Sequence, residues 1–339
     1  MNNLLITGGA GFIGSNFVHF ILENYKDYNV VNLDNLTYAG NLLNLIDIEK
    51  NPRYFFIKGN IKNFELVSYI LKEYKIDSII NFAAESHVDR SILGSEVFIE
   101  TNVTGTLTLL EAAKAYGIER FVQISTDEVY GSLGATGKFT ESTPLSPNSP
   151  YSASKTSADL ITRSFYKTFG LPVLITRCSN NYGSYQFPEK LIPLMICNAL
   201  QDKKLPVYGT GKNIRDWIHV KDHCSAIDCV LHKGKIGEIY NIGGGNEWEN
   251  INIVKEILSI LSKPDTLIQF VKDRLGHDFR YAIDSSKIKN ELGWEPSYNF
   301  SDGLKETVKW YIEHKEWVNE CTSGEYQQYY TKMYKGREI

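Results

Sequence analysis

The chain has 339 residues, 42% hydrophobic and 22% charged, which is ordinary globular usage with enough length for a large buried core and no signature of disorder. Its 36 Lys and Arg against 40 Asp and Glu leave a formal charge of -4, which gives no general attraction to nucleic acid or to an anionic membrane. No stretch has the apolar length of a membrane span or the form of a secretory leader, so the expectation is a cytoplasmic protein without nucleic-acid or membrane partners.

From the N-terminus, short β-branched or aromatic runs alternate with longer amphipathic ones. Residues 3–7, 29–33, 54–57, 78–82, 120–124 and 172–176 read as strands, and 13–25, 64–74, 96–116 and 151–169 have helical length and spacing. Repeated βαβ units imply a Rossmann-type, doubly wound parallel sheet. After Thr176 the regularity breaks at Pro188, Pro193, Pro206, Gly209 and Gly211, and helical patterns return over 222–231, 251–261 and 304–314. The division predicted is a dinucleotide-binding domain over 1–178, to which 216–245 returns, and a smaller substrate lobe from 179–215 and 246–339. In open α/β sheets ligands sit beyond the carboxyl ends of the strands, so the loops there are expected to hold the chemistry.

Thr7-Gly8-Gly9-Ala10-Gly11-Phe12-Ile13-Gly14 follows the first strand and opens the first helix. Glycine at 8, 11 and 14 suits a tight turn against which a pyrophosphate approaches the main chain. Asp34 ends the second strand twenty positions after Gly14. A carboxylate there accepts hydrogen bonds from ribose hydroxyls and repels a 2′-phosphate, so the cofactor expected is NAD rather than NADP.

Ser125-Thr126-Asp127-Glu128-Val129-Tyr130-Gly131 follows the apolar run 121–124, which brings a hydroxyl and two carboxylates to the carboxyl end of one strand. Downstream, Tyr151-Ser152-Ala153-Ser154-Lys155 sets a phenol and an ammonium on one helical face, after the start signal Ser149-Pro150. A tyrosine with its ordinary pKa near ~10 is a poor base at neutral pH, and a neighbouring lysine and a positive nicotinamide ring both stabilise its phenolate. Neither pattern is specific alone; together, behind a dinucleotide fingerprint, they are.

These segments, with Ala83-Ala84-Glu85-Ser86-His87-Val88-Asp89-Arg90-Ser91, Arg177-Cys178-Ser179-Asn180-Asn181-Tyr182-Gly183 and Arg215-Asp216-Trp217, resemble the extended short-chain dehydrogenase/reductases. Within them they are similar to the nucleotide-sugar 4,6-dehydratases over nearly the whole chain. The resemblance implies Tyr151 as base for the sugar 4-hydroxyl with Thr126 on the same oxygen and Lys155 supporting the phenolate. It implies Glu128 as the C5 base, Asp127 as the acid for the departing 6-hydroxyl, and NAD as a hydride store. For the cofactor it assigns Gly8, Gly11, Phe12, Ile13, Gly14, Asp34, Asn35, Leu36, Thr37, Asn60, Ile61, Ala83, Ala84, Ser86, Thr101, Tyr151, Lys155 and Asn181. For the nucleotide sugar it assigns Ser86, Thr126, Asn180, Glu189, Lys190, Leu191, Pro206, Tyr208, Arg215, Asn250, Asp273, Arg274 and His277. A homodimer through the helices near 96–116 and 151–169 is also implied.

A thymidine-linked glucose is the first expectation for the substrate. A UDP- or CDP-sugar dehydratase, an epimerase or decarboxylase on the same scaffold, and a non-catalytic NAD-binding sensor stay open. Four positions depart from the family pattern, Asn60, Ser184, Thr210 and Leu275, mostly on the substrate side. The odd set Cys178, Cys197, Cys224, Cys229 and Cys321 forms no CxxC pair and reads as reduced thiols. His87, His219 and His277 are too widely spaced for a metal motif, so no metal is expected.

Overall fold

A computed structural model describes residues 2–334. The strands are β1 (Asn3–Thr7), β2 (Asn29–Asp34), β3 (Tyr54–Lys58), β4 (Ser78–Asn81), β5 (Arg120–Thr126), β6 (Val173–Cys178), β7 (Asn180–Tyr182), β8 (Leu205–Tyr208), β9 (Ile214–His219), β10 (Ile239–Ile242), β11 (Glu247–Glu249) and β12 (Ile268–Val271). Seven of them form one sheet in the order β10-β6-β5-β4-β1-β2-β3, with every neighbouring pair parallel. This is the doubly wound Rossmann-type sheet read from the sequence. Thr7 of β1 lies opposite Leu33 of β2 on one side and Asn81 of β4 on the other. The winding reverses at β1, so the crevice opens beyond the carboxyl ends of β1 and β4.

Both faces of the sheet are covered, which is why its strands read as near-continuous apolar runs. Leu4, Ile6 and Val122 pack with Phe17 and Val18 of helix Phe12–Asn24 and Ile227 and Val230 of helix Val220–Lys233. On the other face Leu5, Val31 and Phe121 pack with Val67 of helix Phe64–Glu73 and Leu109 of helix Thr106–Tyr116. A separate apolar cluster joins helices Leu191–Leu200, Asn250–Ile260 and Phe300–Glu313 to β8 and β9 through Ile196, Ile253, Leu304, Val207 and Trp217. Here β9 pairs with β7 and β11, and β8 pairs with β12.

β5 and β6 continue past their apolar runs and carry Thr126 and Cys178 into the sheet as opposed residues. The helix expected over 96–116 is divided instead into an α turn Glu96–Phe98, a π-helical stretch Ile99–Gly105 and an α-helix Thr106–Tyr116. Within the wide stretch the buried Asn102 accepts from Glu85 N (2.9 Å) and donates to Glu85 O (3.0 Å) and Ser154 Oγ (2.8 Å). That side chain fastens the segment after β4 to the helix that bears Tyr151, and π turns of this kind recur where a helix serves a site. Among the described residues no helix is long and apolar enough to cross a membrane, and no group of three or more His, Cys, Asp or Glu could hold a metal ion.

Candidate active site

In the turn after β1, packing alone dictates two of the three glycines. Gly8 has φ +69°, and a Cβ on it would lie 2.7 Å from Ala83 N; one on Gly14 would lie 2.8 Å from Gly9 Cα. A Cβ on Gly11 would meet only Gly8 O, at 3.3 Å, so the demand for glycine there comes from whatever enters the cleft it lines. Asp34 is fixed at the end of β2 by hydrogen bonds from Ala10 N (2.9 Å) and Leu36 N (2.8 Å). Burial raises its pKa while those two donors hold it down.

One continuous cleft runs from this turn along the carboxyl ends of the strands. Every predicted cofactor residue except Leu36 lines it, as do all of Thr126, Asp127, Glu128, Tyr151 and Lys155, and every predicted substrate residue except Asp273. The two exceptions shape loops from behind. Leu36, at φ +52°, turns its amide to Asp34 and its side chain toward the core of the sheet. Asp273 Oδ1 accepts from Arg274 N (2.7 Å) and faces His277 Nδ1 (2.6 Å), so it supports the two residues that do line the cleft. Of the four departures from the family pattern only Asn60 lines the cleft; its Oδ1 accepts from Lys62 N at 2.9 Å.

Helix Pro150–Phe169 starts at a reciprocal Ser149–Ser152 capping box with Pro150 in its first turn. Lys155 Nζ donates to Ile124 O at 2.6 Å, which pins this helix to β5 and brings Tyr151 to the end of that strand. The Tyr151 phenol is buried and hydrogen-bonded to Thr126. Burial, then Glu128 and Cys178, hold it well above the usual tyrosine range, with Thr126 opposing. Burial lowers Lys155, and Asp159 one turn further along the helix opposes that fall. The chain alone therefore keeps the Tyr151 proton on; a positive group brought beside it is what would release it.

Thr126 also caps the short 3-10 turn Asp127–Tyr130, its Oγ1 accepting from Glu128 N at 3.3 Å. The two acids then meet different surroundings. Asp127 is 1% exposed, and its Oδ2 has no hydrogen-bond partner among the described residues. Burial, then Glu128 and Asp216, push its carboxyl well above the aspartate range, with Arg215 and Thr126 opposing. Burial raises Glu128 too, but Arg274, Lys190 and Arg215 all pull it down against Asp278. Both carboxyls are raised, Asp127 much the further, so of the two Asp127 holds its proton more firmly and Glu128 yields its own more readily, the ordering an acid and a base in a single site require.

Those three cations share a second property. Among the described residues none of Lys190, Arg215 and Arg274 has a carboxylate at ion-pair distance, and Arg274 Nε is buried without a partner. Lys190 Nζ donates to Ser86 O (2.8 Å), and Arg215 donates to Ile214 O (2.7 Å) and Asp278 O (2.8 Å) while lying 4.2 Å from the centre of the Tyr281 ring. Three cations that line one cleft without a carboxylate partner suit an anion. Glu189 differs from its neighbours, because its carboxylate is already bound by Arg90 Nε at 2.8 Å.

Sequence reasoning passed over several residues that line the cleft, among them Asp89, Cys178, Tyr281 and Tyr334. Asp89 Oδ2 accepts from Tyr208 Oη at 3.3 Å, and the rings of Tyr208 and Tyr334 stack at 6.1 Å. Asp89 stood inside a recognised segment without a role, whereas Tyr334 comes from helix Glu325–Tyr334 and no local pattern marks it.

Because folding raises Asp127 above its ordinary value of 3.8, ionising it destabilises the fold, and the penalty grows as pH climbs above that value. Asp127→Asn should therefore melt at a higher temperature than the parent at about pH 7, with the gain shrinking toward about pH 3. A variant no more stable than the parent at neutral pH would show that Asp127 ionises freely.

A sequence profile for the GDP-mannose 4,6 dehydratase family matches residues 5–307. The dTDP-glucose 4,6-dehydratase of Xanthomonas campestris pv. campestris (strain B100) is 54% identical over 345 aligned residues, covering 96% of this chain and 98% of that one. The crystal structure of dTDP-glucose 4,6-dehydratase from Bacillus anthracis str. Ames in complex with NAD superposes with a TM-score of 0.90 at 57% identity, over 95% of this chain and 100% of that one. DesIV, the dTDP-glucose 4,6-dehydratase of Streptomyces venezuelae, with NAD bound, gives 0.92 at 51%, over 94% and 99%. Similarity that spans both chains, at more than half of their positions and in the same fold, means that this chain belongs to the dTDP-glucose 4,6-dehydratase family.

Proposed function

We propose that the chain converts dTDP-glucose to dTDP-4-keto-6-deoxyglucose with NAD held in its own cleft. The observation that carries this reading is the unlike pair Asp127 and Glu128 beside Tyr151 and Lys155. Oxidation at C4 needs only the tyrosine and lysine; elimination also needs an acid and a base. The glycine cradle at 8, 11 and 14 and the carboxylate of Asp34 fit the pyrophosphate and adenosine ribose of NAD. Lys190, Arg215 and Arg274 fit the diphosphate of the sugar nucleotide.

Bound there, NAD supplies an acceptor for the hydride of C4, a donor for its later return to C6, and a positive ring that favours the tyrosinate. Tyr151 takes the proton of the 4-hydroxyl, with Thr126 hydrogen-bonded to the same oxygen. The 4-ketone so formed acidifies the C5 proton, and Glu128, drawn toward ionisation by the three cations, removes it. Asp127, which burial keeps protonated, gives its proton to the 6-hydroxyl as water leaves across C5 and C6. Glu128 returns its proton to C5 as C6 is reduced. One proton then has to pass from Tyr151 to Asp127 before the next turnover.

The exposed apolar surface supports a homodimer. Leu107 and Leu160 are exposed on the packed helices Thr106–Tyr116 and Pro150–Phe169, with Leu93, Val97 and Ile99 also exposed nearby in the chain. Exposed apolar side chains gathered on packed helices favour a partner over water. Light scattering should give the mass of two chains, falling to one in Leu160→Asp; a monomeric parent would remove the proposal.

Incubation with dTDP-glucose should give a product lighter by one water, whereas an isobaric product would make the chain an epimerase. Glu128→Gln should still reduce bound NAD, seen in the near-ultraviolet absorbance of the reduced ring, while dehydration falls by about 10²- to 10⁴-fold. A fully active variant would take the C5 proton away from Glu128.

A further inference from the structure

Arg90 lies in the short helix Val88–Leu93 behind β4 and has no part in the steps above. Its guanidinium carbon is 3.7 Å from the centre of the Tyr38 ring and 3.9 Å from that of Tyr329, and its Nε donates to Glu189 Oε2 at 2.8 Å. Three segments meet on this one cation. Tyr38 belongs to the loop that follows Asp34 and includes the cleft residues Asn35 and Thr37. Glu189 precedes Lys190 and Leu191 on the nucleotide-sugar side. Tyr329 is in helix Glu325–Tyr334, whose last residue lines the cleft beside Tyr208.

The surroundings tighten the junction. The Tyr38 phenol is also hydrogen-bonded to the buried carboxylate of Glu189. His87 bridges the same partners, with Nε2 3.3 Å from Glu189 O and Nδ1 3.3 Å from Tyr329 Oη. Tyr326 Oη donates to Pro188 O at 2.9 Å. In the Tyr38 loop a Cβ on Gly40 would come within 3.0 Å of Asp34 Oδ1, so the loop is packed directly against the carboxylate that faces the ribose. Only a planar cation can stack on two rings and still donate in its plane to a carboxylate; a lysine in this place keeps the charge and loses the stack.

We infer that Arg90 is a positioning residue that clamps the cofactor loop to the nucleotide-sugar lobe and the C-terminal helix, and so keeps NAD in the cleft between its two hydride transfers. The inference rests on the reaction proposed above, in which the reduced cofactor must not leave before C6 is reduced. Without the sandwich, the loop beside Asp34 keeps its hydrogen bonds, the edge contact of Tyr38 with Phe187 and the packing of Leu36, but loses its charged anchor to the helix Val88–Leu93, and the cofactor escapes more readily.

Tyr329 gives the cleanest test, since it touches Arg90 and does not line the cleft. Parent, Tyr329→Phe, Tyr329→Ala and Arg90→Lys would be purified alike, passed through gel filtration, and assayed for retained NAD by acid extraction and chromatography. The KM for added NAD and kcat at saturating NAD would be measured beside it. The phenylalanine variant should match the parent. The alanine and lysine variants should retain less NAD and show a KM for NAD raised about tenfold, with kcat at saturation within about twofold of the parent. Retention equal to the parent in both would overturn the clamp, as would an equal loss in Tyr329→Phe and Tyr329→Ala. A variant that loses kcat and thermal stability with its NAD retention intact would reduce Arg90 to a structural role. A parent that neither carries nor binds NAD would instead defeat the proposed reaction itself, so the two failures are distinguishable.

Discussion

Arg274, Lys190 and Arg215 pull on Glu128, while Asp127, its neighbour in the chain, answers mainly to burial and to the charge of Glu128 itself. Adjacent carboxyls in one cleft would ordinarily compete for a single proton on equal terms. Here the competition is biased before any ligand arrives, because Arg215 acts on both carboxyls whereas Arg274 and Lys190 pull chiefly on Glu128. The same cations have no carboxylate partners among the described residues, so they are also the place for a diphosphate. A diphosphate bound there would offset part of their pull and raise the proton affinity of Glu128 once the sugar is in place. Substrate binding and the strength of the C5 base are then linked through one set of charges.

The sheet makes this arrangement possible. β5 runs on to Thr126, whose hydroxyl caps the turn that directs Asp127 and Glu128 apart and also meets the Tyr151 phenol. Lys155 fastens the Tyr151 helix to Ile124 O, and Asn102 fastens the segment after β4 to the same helix through Ser154. Thr126, Tyr151 and Lys155 are therefore held by bonds between elements rather than by their own loops. Such rigidity has a counterpart in the buried, partly unpaired polar atoms of the site, where local stability is given up for chemistry.

Much of this was legible in the sequence because the signals are local. The glycine turn, the carboxylate ending β2, the acid pair at the end of β5 and the Tyr151–Lys155 spacing each occupy a single stretch of chain, and periodicity fixed the sheet around them. What failed to show is what depends on contacts across the fold. Leu36 and Asp273 sit among ligand-facing residues yet serve the loop behind them, and nothing in their spacing separates the two duties. Glu189 lines the cleft as expected, yet that its carboxylate is also bound by Arg90 could not be read from its spacing. Tyr281 and Tyr334 reach the cleft from late elements, and the π stretch within 96–116 reflects the bonds of Asn102 to Glu85, which no helical pattern contains.

The division of labour between Asp127 and Glu128 is the centre of the account, and the protonation state of the resting protein tests it most directly. Infrared difference spectra of the parent against Asp127→Asn and Glu128→Gln at neutral pH would separate a protonated carboxyl from a carboxylate at each position. The account predicts that the protonated-carboxyl band is lost in Asp127→Asn and that a carboxylate band is lost in Glu128→Gln. The reverse assignment, or carboxylate bands at both positions, would contradict it.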